Sequence, residues 1–277
     1  MLTHLLSVEH IYKSFDLKSG SYAVSDVGFT LRRGECLGIA GESGSGKSTL
    51  IRMIARLSDV SPGPNGENGY INMSNKTISL WPPHLFASHP LRKKIQMVFQ
   101  DPDSSLNPCF TAFSSIADPL RALCGMRKKE EIKKRVYELA DLVQLPHELL
   151  SRLPHQLSGG QKARVGIARA LAPGPDLILL DEPTTALDVS VQGRILTLLD
   201  DLKRNLGLSM IFVSHDLSVL KLLCDNILVM LRGKTVEYAP VEQLFSNPAS
   251  GYGKSLLEAM PKPPGRSSQP PYSGPAM

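Results

Sequence analysis

The sequence lacks long hydrophobic runs and carries few cysteines. Its longest apolar runs are short, such as 227–231, and none approaches the roughly 18 residues that a membrane-spanning helix needs. The N-terminus has neither a basic region nor a long apolar run, so no secretory signal is predicted. The four cysteines are scattered without a C-x-x-C pair. This spacing argues against a zinc site or a disulfide framework and favours reduced, mostly buried thiols in a cytosolic protein.

The chain also lacks a strong charge imbalance. Its 277 residues include 31 Lys and Arg against 26 Asp and Glu, a net charge of +5. Because this excess is mild, no nucleic-acid partner is expected. The length and the ordinary composition, 42% hydrophobic and 21% charged, fit one large α/β domain or a core with a smaller inserted subdomain.

Residues 41–49 match the phosphate-binding loop pattern G-x-x-x-x-G-K-[ST] in full. Its glycines let consecutive backbone N–H groups turn toward anionic oxygens. Lys47 can reach the β- and γ-phosphates of a nucleotide, and Ser48 can offer its hydroxyl to Mg²⁺. A short apolar strand at 36–40 and an amphipathic helix at 48–57 supply the expected context. The predicted nucleotide-binding residues of this loop are Gly41, Glu42, Ser43, Gly44, Ser45, Gly46, Lys47, Ser48 and Thr49.

A second apolar strand, at 177–180, ends in the carboxylates Asp181 and Glu182. A strand buried on both faces delivers its last residues to the carboxyl edge of the sheet, where ligands bind in open α/β folds. Asp181 suits Mg²⁺, directly or through water, and Glu182 is placed to polarise a water that attacks the γ-phosphate. Glu182 alone could equally be a solvated strand end or a helix cap. The phosphate loop upstream favours the catalytic interpretation.

The rest of the pattern predicts the architecture around these motifs. Strands at 6–12 and 23–31, followed by a strand and turn at 70–80, predict an antiparallel sheet beside the phosphate-loop strand. After 172, apolar strands alternate with helices as far as 231. That alternation predicts a largely parallel sheet covered by helices.

A mostly helical block at about 105–172 interrupts this alternation. Within and before it, 101–119 is predicted to be loop-like and 127–145 to be an amphipathic helix that Pro146 ends. The block is therefore expected to be an inserted subdomain. At the other end of the chain, 261–277 contains six prolines and is predicted to be disordered.

Residues 157–161 read Leu-Ser-Gly-Gly-Gln, immediately before a helix predicted at 163–171. The Ser158 hydroxyl, the Gly160 amide and the N-terminus of that helix could all face a phosphate. Taken alone, the segment is better interpreted as a glycine turn with a serine N-cap.

Together these motifs carry a resemblance to a known family. The phosphate loop, 157–161, the strand ending in 181–182, 186–188 and His215 occur in the order and spacing of ATP-binding-cassette (ABC) ATPase domains. The chain resembles that family over about residues 5–260, which implies a P-loop NTPase core with a parallel sheet, an antiparallel β subdomain and an inserted helical subdomain. The expected organisation is one ABC ATPase domain at 1–260 and a tail at 261–277.

The resemblance also implies roles for residues that no pattern assigns alone. Gln100 falls where the family has its Q-loop glutamine, which would sense Mg²⁺ and the attacking water. His215 would contact the γ-phosphate. Phe15 falls where the family stacks an aromatic ring on adenine. The expected catalytic residues are thus Glu182, His215 and Gln100, and the expected metal-binding residues are Ser48, Gln100 and Asp181.

In this family two cassettes bind head to tail, and each nucleotide contacts the phosphate loop of one and the 157–161 motif of the other. A second anion nest about 110 residues from the first fits such a contact in trans. The resemblance therefore implies that the partner's nucleotide contacts Ser158, Gly159, Gly160 and Gln161. It also implies that Asp188 links the two sites across the interface.

A closer likeness is to the oligopeptide/dipeptide/nickel importer subfamily. It rests on 96–108, 188–192, 214–219 and 251–257, although the subfamily's usual His-Pro before Tyr252 is Ser-Gly here. The implied function is that of the subunit that binds and hydrolyses ATP, with Mg²⁺, to power a membrane importer for peptides or chelated metal of the nickel type.

The same likeness implies partners and a location. Expected partners are a second, non-identical ATPase subunit, two transmembrane permease subunits whose cytoplasmic helices dock near 100–119, and, indirectly, an extracytoplasmic solute-binding protein. The chain would be peripheral, on the cytoplasmic face of the inner (plasma) membrane. An ABC ATPase of DNA repair would need coiled coils or paired cysteines in its insert, and a translation-associated one would need two cassettes. An ATPase component of a soluble enzyme complex is the alternative that the sequence leaves open.

Overall fold

The computed structural model describes residues 4–16 and 20–260. The predicted disordered tail at 261–277 lies outside the described residues. The strands are β1 (His4–Lys13), β2 (Val24–Arg32), β3 (Cys36–Ala40), β4 (Tyr70–Met73), β5 (Lys76–Thr77), β6 (Ile95–Val98), β7 (Leu177–Asp181), β8 (Ser209–Val213), β9 (Asn226–Leu231) and β10 (Lys234–Pro240). The helices are α1 (Lys47–Ile54), α2 (Pro83–Phe86), α3 (Pro102–Ser105), α4 (Ala112–Ala122), α5 (Lys129–Leu142), α6 (Gly159–Leu171), α7 (Val189–Leu206), α8 (Leu217–Leu223), α9 (Val241–Ser246) and α10 (Gly251–Glu258).

A six-stranded sheet in order β10-β9-β3-β8-β7-β6 forms the centre of the described fold. All neighbouring strands from β9 to β6 are parallel, and β10 alone pairs antiparallel, at the edge. Every residue of β3, β7 and β8 is buried, because both faces of the sheet are covered, one by helices and the other by α1 and the antiparallel sheet. The carboxyl ends of β3, β7 and β8 consequently meet at one edge. This confirms the predicted parallel core.

A separate antiparallel sheet has the order β2-β1-β4-β5, as the sequence predicts. Its inner face shares one apolar core with one face of the parallel sheet and with α1, through residues such as Leu6, Phe29, Leu37, Ile51 and Ile211. A second apolar core lies on the other face of the parallel sheet and includes α4, α5 and α6. The α/β fold with an antiparallel β subdomain and a helical insertion is therefore confirmed, while the boundaries 105 and 172 stay a prediction.

The prediction that 101–119 is loop-like is wrong. This stretch contains α3 and the first eight residues of α4. Thr111 begins α4 as its N-cap, its side-chain oxygen accepting a hydrogen bond from the N–H of Ser114 at 3.2 Å. Ile116 and Leu120, four residues apart, are buried against the second core, and this burial stabilises the helix although Pro119 lies inside it. The proline and the serines concealed that periodicity.

The cysteines were predicted to be mostly buried, but only two of the four are. Cys36 in β3 and Cys224 after α8 are buried, with their Sγ atoms 3.6 Å apart, whereas Cys109 and Cys124 are exposed. The exposed pair lies in the turns before and after α4. Scattered positions in the sequence thus conceal one close pair of free thiols in the core.

Candidate functional site

The phosphate loop connects β3 to α1 and depends on glycine at two positions. Gly41 has φ of 146° and Gly46 has φ of 99°, a region that side chains with a Cβ rarely adopt. A Cβ on Gly41 would lie 2.3 Å from the backbone oxygen of Met230, and one on Gly46 would lie 2.3 Å from the backbone oxygen of Ala23. The close packing of the loop against its neighbours therefore explains both glycines, beyond the ligand contact that the sequence suggests.

Lys47 folds back over the loop. Its ammonium donates to the backbone oxygens of Gly41 at 2.7 Å and Glu42 at 2.8 Å. Burial lowers the pKa of Lys47, and the nearby carboxylates of Glu182 and Asp181 oppose that shift. Since an ammonium has three N–H bonds, the two backbone contacts fix its position and leave one N–H for a phosphate oxygen.

Ser48 and Asp181 meet at the carboxyl edge of the sheet. The Ser48 hydroxyl, in the first turn of α1, donates to Oδ1 of Asp181, at the end of β7, at 2.9 Å. Asp181 is only 2% exposed, and burial raises the pKa of its carboxyl, against the opposing hydrogen bond from Ser48. A buried carboxylate beside a serine hydroxyl is an oxygen donor set of the kind that Mg²⁺ prefers.

Glu182 follows Asp181 in an unusual backbone conformation, with φ of 45°. Its N–H donates to the backbone oxygen of Val213 in β8 at 3.1 Å. Its Oε2 accepts a hydrogen bond from the Thr185 hydroxyl at 3.1 Å and lies 3.1 Å from Nδ1 of His215. Non-glycine residues with positive φ are uncommon and gather at functional sites. The backbone and two side chains thus hold the carboxylate in one position.

An open cavity of about 670 Å³ collects most of the predicted catalytic and nucleotide-binding residues. It is lined by Ala23, Glu42, Ser43, Gly44, Gly46, Lys47, Ser48, Thr49, Gln100, Glu182 and His215. Apart from Ala23, which lies just before β2, these residues come from the phosphate loop and from the segments that follow β6, β7 and β8. The fold therefore brings together residues that are up to 192 positions apart in the sequence, from Ala23 to His215.

Gln100 borders a second opening as well. A neighbouring cavity of about 390 Å³ is lined by Arg52, Phe99, Gln100, Asp101, Ser104, Ser105 and Asp181. Gln100 and Asp181 thus lie on the side of the site that faces the segment before α4. The predicted metal-binding residues Gln100 and Asp181 therefore border the start of the helical insertion.

The 157–161 motif does not line the 670 Å³ cavity. Ser158 and Gln161 instead form a capping box at the start of α6: the Gln161 N–H donates to Ser158 Oγ at 3.4 Å, and the Ser158 N–H donates to Gln161 Oε1 at 2.8 Å. A Cβ on Gly160 would lie 2.5 Å from Cγ1 of Val191, and one on Gly159 would lie 3.1 Å from Leu187. Within one copy, these residues therefore cap α6 and pack it against the start of α7.

Asp188 and Phe15 also lie outside the lining of that cavity. Asp188 is the N-cap of α7, and hydrogen bonds from Ser190 and from the Val191 N–H lower its pKa. Phe15 is 76% exposed, and the Lys13 ammonium lies 5.5 Å from the centre of its ring. The exposed ring leaves a face open to a ligand, and the stacking role stays a prediction.

Two residues near the phosphate loop carry no predicted role. Ala23 lines the cavity and its backbone oxygen approaches Gly46, a contact for which the sequence offers no signal. The Tyr252 hydroxyl, in α10, accepts a hydrogen bond from the backbone N–H of Glu42 at 3.1 Å. The Gly-Tyr-Gly pattern at 251–253 could have drawn attention to this tyrosine, although nothing in it indicates contact with residue 42.

The donor set fits a nucleotide with Mg²⁺ better than it fits a metal held by protein alone. Within 4–16 and 20–260, no group of three or more His, Cys, Asp and Glu side chains could hold a metal ion. Mg²⁺ is commonly bound through one or two carboxylates together with substrate phosphates. The hydroxyl of Ser45, in the loop, is buried without a hydrogen-bond partner, so the loop contains a polar group whose hydrogen bonding is unsatisfied.

The comparison of sequences identifies a family and close relatives. The ABC transporter family model matches residues 24–185. The Bacillus subtilis (strain 168) oligopeptide transport ATP-binding protein OppF is 43% identical over 267 residues, covering 95% of this chain and 84% of the relative. OppD of Mycobacterium bovis is 44% identical over 268 residues; these cover 94% of this chain, which spans only 42% of that relative's length.

The comparison of folds gives the same family. The dimeric post-hydrolysis structure of the ATP-binding cassette MJ0796, bound to ADP and Pi, has a TM-score of 0.74 at 31% identity and covers 85% of this chain and 98% of its own. The structure of cbiO1 from Clostridium perfringens, part of the ABC transporter complex cbiONQ, has a TM-score of 0.76 at 30% identity, covering 88% and 91%. In the part of the chain that the structure describes, no helix combines the length and hydrophobicity that a bilayer crossing demands.

Proposed function

Because the chain belongs to the ABC transporter family, we propose that it binds and hydrolyses ATP as the energy-supplying subunit of an importer of the peptide type. The observation that carries this proposal is the cavity in which the phosphate loop, Glu182 and His215 meet. The names of the relatives, which are transport ATP-binding proteins for oligopeptides, supply the peptide class.

ATP would occupy the 670 Å³ cavity with its phosphates on the loop. The loop N–H groups and the N-terminus of α1 favour anionic oxygens there. Lys47, already held by two backbone oxygens, would direct its remaining N–H to the β- and γ-phosphates. Phe15 would stack on the adenine ring, because its exposed face needs no rearrangement of the core.

The metal would be held by the side chains that converge beside Lys47. Ser48, Asp181 and Gln100 would hold Mg²⁺, with Asp181 acting directly or through water. When bound, the ion neutralises charge on the β- and γ-phosphates. The Ser48 hydroxyl, which donates to Asp181 at 2.9 Å, would turn its oxygen lone pair toward the ion.

Glu182 would be the general base for the attacking water. Thr185 and His215 both contact its Oε2, so the second carboxylate oxygen would accept the proton of the water. His215, within hydrogen-bond distance of Glu182, would contact the γ-phosphate with its other ring nitrogen. Gln100 would orient the water from the opposite wall.

Two cassettes would close over the nucleotide head to tail. The capped N-terminus of α6, with Ser158, Gly159, Gly160 and Gln161, would contact the γ-phosphate bound by the partner, and Asp188 would connect the two sites. Hydrolysis removes the charge that both surfaces contact, so the closed dimer would open. The dimeric cassette MJ0796 supports the association of two copies of such a fold.

The remaining partners would be membrane proteins. Two permease subunits would dock their cytoplasmic helices near 100–119, at the second cavity and the start of the helical insertion. A second, non-identical ATPase subunit and an extracytoplasmic solute-binding protein would complete the importer. The chain would then be peripheral on the cytoplasmic face of the plasma membrane. The cargo would be a peptide or a metal carried by a small chelator, of the nickel type.

Affinity purification through a tag on this chain, from detergent-solubilised membranes and from the soluble fraction, tests the proposal. An importer subunit is expected to recover integral membrane proteins together with MgATP hydrolysis. Recovery of only a soluble assembly with ATPase activity would instead support the soluble enzyme complex and overturn the importer. Substrate-stimulated hydrolysis in vesicles, with peptides and with Ni²⁺ chelates as separate additions, would then identify the cargo class.

A further inference from the structure

We propose that Tyr252 is a positioning residue for ATP binding, acting on Lys47 through one peptide unit of the phosphate loop. The N–H of Glu42 and the C=O of Gly41 belong to the same planar peptide group. Tyr252 Oη accepts the hydrogen bond from that N–H at 3.1 Å, and Lys47 Nζ donates to that C=O at 2.7 Å. One peptide unit is thus held at both ends. The inference rests on the proposed ATP site.

These two hydrogen bonds matter because the peptide unit between Gly41 and Glu42 follows a residue with an unusual backbone conformation. Gly41 has φ of 146° and lies against the backbone of Met230. Without a Cβ, glycine has little steric preference among neighbouring conformations, so the glycine alone does not hold the carbonyl toward Lys47. The hydrogen bond from Glu42 to Tyr252 supplies that restraint from outside the cavity.

The tyrosine is itself held firmly. Its ring packs against the second apolar core, and burial raises the pKa of its hydroxyl, which therefore stays protonated at neutral pH. The carboxylate of Glu237 accepts hydrogen bonds from the N–H of Ala249 at 2.7 Å and from the N–H and hydroxyl of Ser250 at 2.9 and 2.6 Å. Ser250 in turn caps α10 by accepting from the Gly253 N–H at 2.8 Å.

This network fixes the start of α10 relative to the loop. A Cβ on Gly253 would lie 2.6 Å from Oε2 of Glu237, so the small residue after Tyr252 is required by the same carboxylate. A contact between residues 210 positions apart therefore has a dedicated support. Packing of the apolar core alone would not require this network, because the Tyr252 hydroxyl bonds the loop and not the core.

The test compares Tyr252→Phe with Tyr238→Phe, measuring the dissociation constant for ATP by isothermal titration and the unfolding temperature without nucleotide. The Tyr238 hydroxyl also bonds the backbone, as a donor to the oxygen of Thr30 at 3.3 Å, and neither residue lines the cavity. Loss of one hydrogen bond is expected to weaken ATP binding by about 3- to 10-fold in Tyr252→Phe. Tyr238→Phe is expected to leave ATP affinity unchanged.

A double-mutant cycle with Lys47→Ala separates positioning from general destabilisation. If Tyr252 acts through the carbonyl that Lys47 contacts, Tyr252→Phe is expected to change ATP affinity by less than about twofold in the Lys47→Ala background. The same loss in both backgrounds, or no loss in the otherwise wild-type chain, would overturn the inference. Ser250→Ala keeps the Tyr252 hydroxyl but removes the side chain that caps α10. This variant is also expected to weaken ATP binding, by a smaller factor.

Different results would refute the proposed function and the role of Tyr252. A wild-type chain that does not bind ATP would refute the proposed function. A wild-type chain that binds ATP, beside a Tyr252→Phe variant of equal affinity, would refute only the role of Tyr252. Should Tyr252→Phe not fold, Ser250→Ala with unchanged ATP affinity would have the same consequence.

Discussion

The Nδ1 atom of His215 lies 3.1 Å from Oε2 of Glu182. The two residues follow the neighbouring parallel strands β8 and β7, and both line the cavity. The contact forms because β7 and β8 pair in register, with Asp181 beside Val213, and each strand delivers its next residues to the same edge. It orients a carboxylate that already has a constrained backbone. Substitutions at this site are therefore expected to change ATP turnover, nucleotide binding, association or stability in distinct ways.

Replacing Glu182 with glutamine is expected to reduce ATP turnover by about 10²- to 10⁴-fold, because the amide keeps the shape of the side chain but cannot accept the proton of the attacking water. ATP binding is expected to persist, and closed dimers are expected to accumulate, as size-exclusion chromatography with light scattering can show. Glu138→Gln, on the exposed face of α5, is the matched control and should hydrolyse ATP at the wild-type rate. Normal turnover by Glu182→Gln would remove Glu182 from the role of base.

Replacing Lys47 with alanine is expected to weaken nucleotide binding and to lower turnover by about 10² or more, comparable to the loss of one electrostatic stabiliser at other active sites. The ammonium is the cation that the loop carbonyls of Gly41 and Glu42 hold at the proposed position of the phosphates. Equilibrium binding and steady-state hydrolysis measure the two effects. Lys94→Ala, which removes a surface ion pair with Asp176, serves as control, and equal losses in both variants would contradict a specific role for Lys47.

The Ser158 position allows a test of the contact in trans without loss of the helix cap. Aspartate is as good an N-cap as serine, so Ser158→Asp is expected to fold normally while its negative charge repels the γ-phosphate bound by the partner. ATP-driven association is expected to be lost, and ATP binding to the single cassette to be retained. Thr111→Asp makes a comparable change at the N-cap of α4. Wild-type association of Ser158→Asp would contradict the proposed interface.

Asp181 links stability to pH with a definite sign. Burial raises its pKa in the folded chain above the ordinary 3.8, so the nucleotide-free fold loses stability as the pH rises through 3.8, and the loss is complete above the raised pKa. Asp181→Asn is expected to raise the unfolding temperature at neutral pH, with a difference that disappears as the pH falls below about 3.8. The same variant is expected to lose Mg²⁺-dependent hydrolysis. A variant that is less stable than wild type at neutral pH would show that the carboxylate is structural.

The sequence predicted the elements whose periodicity is strong and local. Helix α7 belongs to the alternation of strands and helices predicted after 172, and local residues set its ends, because Asp188 caps it and Gly207, with φ of 60°, ends it. The strands that precede Gly41 and Glu182 are likewise predicted from short apolar runs. By contrast, α4 was missed, because Pro119 and neighbouring serines hide a stripe that only the tertiary core makes visible.

The cavity lining was predictable where a motif combines residue type with spacing, as in the phosphate loop and at Glu182. Contacts that depend on the path of the chain were not predictable. Ala23 approaches Gly46 through its backbone, which leaves no mark on residue type, and Tyr252 reaches Glu42 across 210 positions. The capping box of Ser158 and Gln161 was foreseeable from local sequence, whereas the proposed phosphate contact of Ser158 would require a second copy of the fold.

The most direct test of the account is the rate of ATP hydrolysis by the complex purified through a tag on this chain, measured with and without Mg²⁺ in wild type and in Glu182→Gln. The account predicts hydrolysis that needs Mg²⁺ and falls by at least about 10²-fold in the variant. A wild-type complex without Mg²⁺-dependent hydrolysis, or a variant that keeps the wild-type rate, would contradict it.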